Sequence, residues 1–198
     1  MKLKLIALSL VLSAASTSAF AAIATIDGGQ VDFAGLVSDN TCVPHVNGGS
    51  QDGQVQLNTA QVGAIQADLG VQLGAVGVQP ESFYITVDCG SSNTNTNAHL
   101  SMASTFFSNS SGTLNNDDSI SSPASGVNLA IHVVDGTGAA LAYKQVKIND
   151  AADIHDTTFG ADGVAKYNFV VSYVKQSGAV PVKAGYVKSN TAYTLTYN

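Results

Sequence analysis

The amino-acid sequence predicts an all-β fold, and three observations support this prediction. Gly, Ser, Thr, Asn and Val are abundant in a chain of 198 residues that has no Trp and only 11% charged residues, and this composition suits short strands joined by turns. Apolar and polar residues alternate with a period of two in several separate segments, which is the pattern of a half-buried strand. Polar clusters rich in Asn, Ser and Gly separate these segments and are typical of turns and loops.

Each alternating segment is expected to form a strand with one apolar face. In chain order the segments contain Val31 and Phe33; Val55 and Leu57; Phe83, Ile85, Val87 and Cys89; Val127, Leu129, Ile131 and Val133; Tyr167, Phe169, Val171 and Tyr173; and Tyr193, Leu195 and Tyr197. The polar stretches 90–97 and 108–125 are interpreted as loops within one domain. Residues 60–71 carry apolar side chains at helical spacing, so they form either a short helix or an irregular connection.

The N-terminus has the pattern of an export signal. Lys2 and Lys4 precede an apolar run at residues 5–12, and small residues then lead to the sequence Ala-Phe-Ala at 19–21. The apolar run is too short to cross a bilayer, which takes about 20 residues. We therefore predict that residues 1–21 are a signal peptide that is removed on export.

The charge balance of the remaining chain argues against a nucleic-acid partner. Six lysines and 14 acidic residues remain after residue 21, which gives a formal net charge of 6 − 14 = −8, and a strongly acidic protein repels a phosphate backbone. All six lysines lie between Lys144 and Lys188, whereas residues 22–143 contain none. This asymmetry suits subunits that stack head to tail, or it reflects only two differently solvated surfaces.

The chain has two cysteines, Cys42 and Cys89. An exported protein matures in an oxidising compartment, so these cysteines are predicted to form a disulfide. They do not form a C-x-x-C motif and have no histidine at ligand spacing, which argues against a metal or redox role.

No motif for catalysis or metal binding is evident. The four histidines are isolated in sequence, with no H-x-H or H-x-x-x-H spacing, and they are His45, His99, His132 and His155. The serines include no G-x-S-x-G motif, and the predicted disulfide leaves no free thiol as a nucleophile. We therefore expect no catalytic, metal-binding or cofactor-binding residues, and the chain is not expected to be an enzyme.

Four segments combine in an order that resembles a known family. They are residues 28–35 (GGQVDFAG) shortly before Cys42; residues 55–57 (VQL) and 83–89 (FYITVDC) leading to Cys89; residues 126–136 (GVNLAIHVVDG); and a C-terminus in which Gly185 is the fourteenth residue from the end, Tyr193 and Leu195 share one face, and Tyr197 is penultimate. In these features the chain resembles the fimbrial subunits of type 1 pili, the major subunits of the chaperone-usher pathway. The resemblance extends over nearly all of the chain that follows the signal.

The resemblance implies a particular form of all-β fold. It is an incomplete immunoglobulin-like β-sandwich, the pilin fold, which lacks its last strand and is completed by donor-strand exchange with a neighbouring subunit. Residues 22–36 would be the N-terminal donor-strand extension and residues 37–198 the pilin domain. Gly29, Val31 and Phe33 would point into the neighbour's groove, with Gly29 at a narrow point; a turn glycine is the alternative for Gly29.

The resemblance also assigns roles to the C-terminal segment. Gly185, Tyr193, Leu195 and Tyr197 would belong to the groove that first a chaperone and then the next subunit contacts. Core packing alone is the alternative interpretation of the terminal strand.

The implied function is structural. The chain would be exported through the periplasm to the cell surface and would build the rod of a fimbria that supports adhesion and biofilm formation. Its partners would be identical or related pilin subunits, a periplasmic chaperone and an outer-membrane usher, and a host or surface receptor only through the assembled fimbria. The alternative is a minor adaptor or a tip subunit with a receptor-binding role, although tip adhesins carry an additional receptor domain for which this chain has no room.

Overall fold

The computed structural model describes residues 42–136 and 140–198. Within these ranges the chain forms nine strands and one short helix. In chain order they are β1 (Val43–Val46), α1 (Val62–Ala67), β2 (Val78–Asp88), β3 (Asn97–Ala103), β4 (Leu114–Asn115), β5 (Val127–Asp135), β6 (Ala142–Val146), β7 (His155–Thr158), β8 (Val164–Lys175) and β9 (Ala192–Tyr197).

The strands form two sheets in which every pair is antiparallel. The larger sheet has the order β1-β2-β8-β5-β4, and β6 also pairs with β5. The smaller sheet has the order β7-β3-β9. β9 is thus an edge strand that pairs with β3.

The core lies between the two sheets and is built from the alternating apolar residues. Tyr167, Phe169 and Tyr173 of β8 are buried, and so are Leu100 and Met102 of β3 on the smaller sheet. The rings of Phe83 and Phe169 stack with their centroids 5.2 Å apart. The sequence-based prediction of an all-β fold is confirmed, and the period of two correctly gives the faces of β2, β5 and β8.

An excursion of the chain between residues 61 and 77 covers part of the outer face of the larger sheet. The ring of His132 on β5 is fully buried there and donates a hydrogen bond from Nε2 to the carbonyl oxygen of Gln72 at 2.8 Å. The backbone N–H of Gly77 donates to Oγ of Ser172 at 2.9 Å. Residues 60–71, predicted as a helix or an irregular connection, contain both, because only Val62–Ala67 is helical.

The predicted disulfide is confirmed and anchors β1. Cys42 lies immediately before β1, Cys89 lies immediately after β2, and the two sulfur atoms are bonded. The chain then turns after β1 at Asn47 and Gly48, both with positive φ, a conformation that Asn and Gly tolerate best. This turn directs the following residues along one side of the core.

The structure also bears on membrane association. Among the residues it describes, none of the helical segments has the length and apolar character needed to cross a bilayer.

Candidate functional site

A long groove opens between the two sheets in the described part of the chain. Its volume is about 780 Å³. The floor consists of apolar side chains from both sheets, and its residues are Phe83, Ile85, Met102, Leu114, Leu129, Ile131, Val171 and Tyr173. An apolar groove of this size is expected to be filled by another group, since exposed apolar surface is unfavourable in water.

Residues 51–57 form the first rim of the groove. They follow the turn after β1 and lie alongside the cavity with no strand assignment. Val55 and Leu57 pack against the core and are only partly buried. The alternation at these residues predicted a strand, and this prediction is wrong for the described structure because the segment has no partner in either sheet.

β9 and the residues before it, 187–191, form the second rim. β9 pairs with β3 along one edge, where Tyr193 lies opposite Met102 and Leu195 lies opposite Leu100. In the described part of the chain, no strand pairs with the other edge of β9, and this open edge faces the groove.

The burial of cross-strand partners differs sharply between β3 and β9. Residues directly opposite each other in an antiparallel pair project from the same face of the sheet. Leu100 has 0% of its surface exposed and Met102 4%, whereas their partners Leu195 and Tyr193 are only partly buried. The inward face of the smaller sheet therefore lacks cover specifically along its β9 edge.

A polar contact between described residues crosses the groove. The hydroxyl of Tyr193 donates a hydrogen bond to the backbone carbonyl oxygen of Gln51 at 2.6 Å. Burial raises the pKa of the Tyr193 hydroxyl, and the nearby carboxylate of Asp52 adds to this shift, so the phenol stays protonated and serves as a donor. Among the described residues, Asp52 and Lys188 are the charged ones that line the groove. The Oγ atom of Ser189 is also buried in this region and has no hydrogen-bond partner among the described residues.

The structure places the predicted C-terminal site residues at two locations. Tyr193 and Leu195 line the groove, and Tyr197 lies on the same face of β9 but outside the groove lining. Gly185 is elsewhere, against residues 122–124, where a Cβ atom at position 185 would overlap the backbone of Ala124. The roles predicted for these four residues in partner binding remain predictions.

The predicted signal peptide, the predicted donor-strand extension 22–36, and Gly29, Val31 and Phe33 within it lie outside the described residues. Their roles also remain predictions.

Sequence reasoning missed the rim at residues 187–191 and the contribution of β3 to the floor. The only sequence signal for β3 is the alternation of Ala98, Leu100 and Met102. The segment 187–191 has no periodicity of its own, and its place on the rim follows from its contacts with distant residues. One example is the backbone N–H of Lys188, which donates to Oδ1 of Asn116 at 2.8 Å.

Two histidine–carboxylate pairs lie outside the groove lining. Nδ1 of His99 is 2.6 Å from Oδ1 of Asp156, and this hydrogen bond raises the pKa of His99. Nε2 of His155 is 3.0 Å from Oδ2 of Asp153 in a buried environment. Within residues 42–136 and 140–198, no group of three or more His, Cys, Asp or Glu side chains is arranged to hold a metal ion.

Comparison with known proteins gives consistent matches. The family model described as fimbrial protein matches residues 31–198. The type-1 fimbrial protein, A chain, of Escherichia coli (strain K12) is 30% identical over 200 residues, and the match covers 100% of both chains.

A solved pilus structure has the same fold. One match is a chain from a solved structure of a chaperone-usher pilus, described as revealing the molecular basis of rod uncoiling. The TM-score is 0.52 at 21% identity, and the match covers 87% of this chain and 96% of that chain. The P pilus rod subunit PapA also matches, with a TM-score of 0.49 at 19% identity, covering 78% of this chain and 99% of that chain. The family model and the end-to-end relative together show that this chain belongs to the fimbrial protein family, and it is therefore a structural subunit of a cell-surface fimbria and not an enzyme.

Proposed function

We propose that the chain is a rod subunit that polymerises by donor-strand exchange. In this proposal residues 22–36 of one subunit enter the groove of the next and add a strand to the open edge of β9. The observation that carries the proposal is the contrast between the buried inward face of β3 and the incompletely covered inward face of β9.

The chemistry of the groove fits an extended peptide as its occupant. The open edge of β9 offers backbone N–H and C=O groups that can form a ladder with an added strand. The floor below this edge is apolar, so it can accept alternate side chains of that strand. A single strand added in this way would satisfy both the backbone and the apolar surface.

The sequence of residues 22–36 fits this role. Val31 and Phe33 alternate with polar residues, so both can point to the same face of an extended strand. Burying each of these side chains is worth about 1.5 to 3 kcal/mol. Because the contact is made between two different surfaces of the same chain, it does not close into a ring and growth continues along one axis.

The same groove is the reason to propose a chaperone and an usher as partners of the subunit before it joins the rod. An isolated subunit with an open apolar groove and a bare strand edge is prone to aggregation. A periplasmic chaperone would fill the groove during export, and an outer-membrane usher would exchange the chaperone for the next subunit. The rod so formed would support adhesion and biofilm formation at the cell surface.

The test is electron microscopy of cells that express the chain together with its chaperone and usher. Fibres are expected with the intact chain, and none with a variant that lacks residues 22–33. Fibres of normal length from this deletion variant would contradict the proposal.

A matched pair of point variants separates strand insertion from a general effect of charge. Val31→Asp puts a carboxylate on the face that is predicted to enter the groove, and Gln30→Asp puts the same group on the opposite face. We expect Val31→Asp to abolish fibres, because an unpaired charge in an apolar groove is strongly disfavoured, and Gln30→Asp to leave them. Equal effects of the two variants would argue against a strand with this orientation.

A further inference from the structure

The two rims of the groove are joined directly by one side chain. Tyr193 belongs to β9, and its hydroxyl reaches the backbone carbonyl of Gln51 on the opposite rim at 2.6 Å. The two residues are 142 positions apart in the chain. This hydrogen bond connects residues 51–57 with residues 187–197.

The position of this hydrogen bond matters for an entering strand. β9 already pairs with β3 through one edge, so a new strand must lie between β9 and residues 51–57. Neighbouring strands are about 4.8 Å apart, and a strand inserted between two others needs about twice this distance between its neighbours. The rims must therefore be free to adopt that separation when the strand enters.

The acceptor of the hydrogen bond is also a group that the entering strand can use. The carbonyl of Gln51 belongs to the backbone of the rim, and an added strand presents backbone N–H groups to it. The hydroxyl of Tyr193 uses one of the two lone pairs of this carbonyl oxygen, and by tying the carbonyl to β9 it holds the rim where the entering strand has to lie. The hydroxyl is a persistent donor, since its surroundings keep the phenol protonated.

We propose that the hydrogen bond from Tyr193 to the carbonyl of Gln51 is a clasp that holds the rims of the groove together before assembly and slows the entry of the donor strand. The proposal rests on the function proposed above. It makes Tyr193 a residue that controls the rate of assembly in addition to packing beside the entering strand. Release of the clasp is then a step that precedes or accompanies strand insertion.

The test measures the association of a labelled synthetic peptide of residues 22–36 with the purified mature chain, by stopped-flow fluorescence anisotropy. Tyr193→Phe keeps the ring and removes the hydroxyl. One hydrogen bond of ordinary net strength corresponds to roughly a threefold to tenfold change in an equilibrium constant. We therefore expect the association rate to rise by roughly this factor in Tyr193→Phe, with the dissociation rate changed by less.

A matched control makes the result specific. Tyr186→Phe removes a hydroxyl from an exposed tyrosine that does not line the groove, and it should leave the association rate unchanged. If the melting temperature shows that Tyr193→Phe is poorly folded, Tyr193→Met supplies a second variant without the hydroxyl.

The outcomes separate the clasp from the function on which it depends. An association rate in Tyr193→Phe that equals or falls below that of the unaltered chain overturns the clasp while leaving donor-strand exchange intact. A peptide that binds neither the unaltered chain nor the variant contradicts donor-strand exchange, and the clasp with it.

Discussion

Leu195 and Leu100 provide a direct test of the groove, because they are cross-strand partners with different surroundings. Leu195 on β9 lines the groove and is partly buried, whereas Leu100 on β3 is fully buried and does not line it. The perturbation is the same truncation at each position, Leu195→Ala and Leu100→Ala. The two variants remove identical atoms from neighbouring sites on one face of one sheet.

The structure predicts opposite effects on folding and on strand binding. Truncation of a fully buried leucine costs about 2 to 5 kcal/mol, so Leu100→Ala should strongly lower the free energy of unfolding. Leu195→Ala should lower it less, because part of this side chain is still in contact with solvent. A donor strand would cover that exposed part of Leu195, and its burial stabilises the complex by about 1 kcal/mol, so Leu195→Ala should raise the Kd of the strand roughly fivefold.

Two measurements on the mature chain check this prediction. Urea unfolding gives the free energy of unfolding of each variant, and titration with an excess of labelled peptide of residues 22–36 gives its Kd. Leu100→Ala should change the Kd by less than twofold. Unchanged peptide affinity in Leu195→Ala, or an equal loss in both variants, would refute the assignment of β9 as the edge that receives the strand.

Three further predictions concern stability. Replacing Cys42 and Cys89 by Ala should lower the free energy of unfolding by about 4 kcal/mol, since the disulfide closes a loop with a sequence separation of 47 residues; a loss below about 1 kcal/mol in urea unfolding would contradict this. The hydrogen bond to Asp156 raises the pKa of His99 above 6.5 in the folded chain. The stabilisation that the protonated His99 gives the fold is therefore fully present below pH 6.5 and is lost as the pH rises through the pKa of the folded chain. Asp156→Asn should lower this pKa in an NMR titration. Burial lowers the pKa of His132 below 6.5 in the folded chain, so the unfolded chain binds a proton at this residue more tightly than the folded chain does. The free energy of unfolding should therefore fall as the pH drops below 6.5, which is the opposite of the pH dependence expected for His99. A fall in urea midpoint between pH 7 and pH 5 that is identical in His132→Asn would contradict this assignment.

The sequence predicts strands best where alternation coincides with burial of one face. In β8, Tyr167, Phe169 and Tyr173 all face the core as the period of two requires. The other face of β8 could not be predicted in this way, because Val170 and Val174 are also buried. Distant parts of the chain cover that outer face, and the excursion at residues 61–77 is one of them.

The candidate site is less predictable from the sequence than the fold is. Its residues line a groove because no described strand lies beside them. Leu195 and Leu100 have similar sequence contexts within alternating segments, yet one lines a groove and the other is fully enclosed. The difference depends on whether a further strand lies beside each one. No local pattern records this, since pairing partners are set by the topology of the whole sheet. The alternation at Val55 and Leu57 fails as a strand prediction for the same reason: it gives the correct apolar face but not a partner.

The size of the groove indicates how strongly assembly and folding are linked. A sealed apolar cavity costs about 24 cal/mol per Å³, so an enclosed, empty space of 780 Å³ would cost about 19 kcal/mol. That exceeds the net stability of about 5 to 15 kcal/mol that a folded domain usually has. The space therefore cannot persist as a dry cavity, and in the isolated chain it must either admit water along the β9 edge or narrow by movement of the rims. A strand that fills the groove covers its apolar floor and adds its own contacts, so the filled subunit should be more stable and should exchange its strand slowly. The empty and filled states then differ most at the rims, which is where Tyr193 and Gln51 meet.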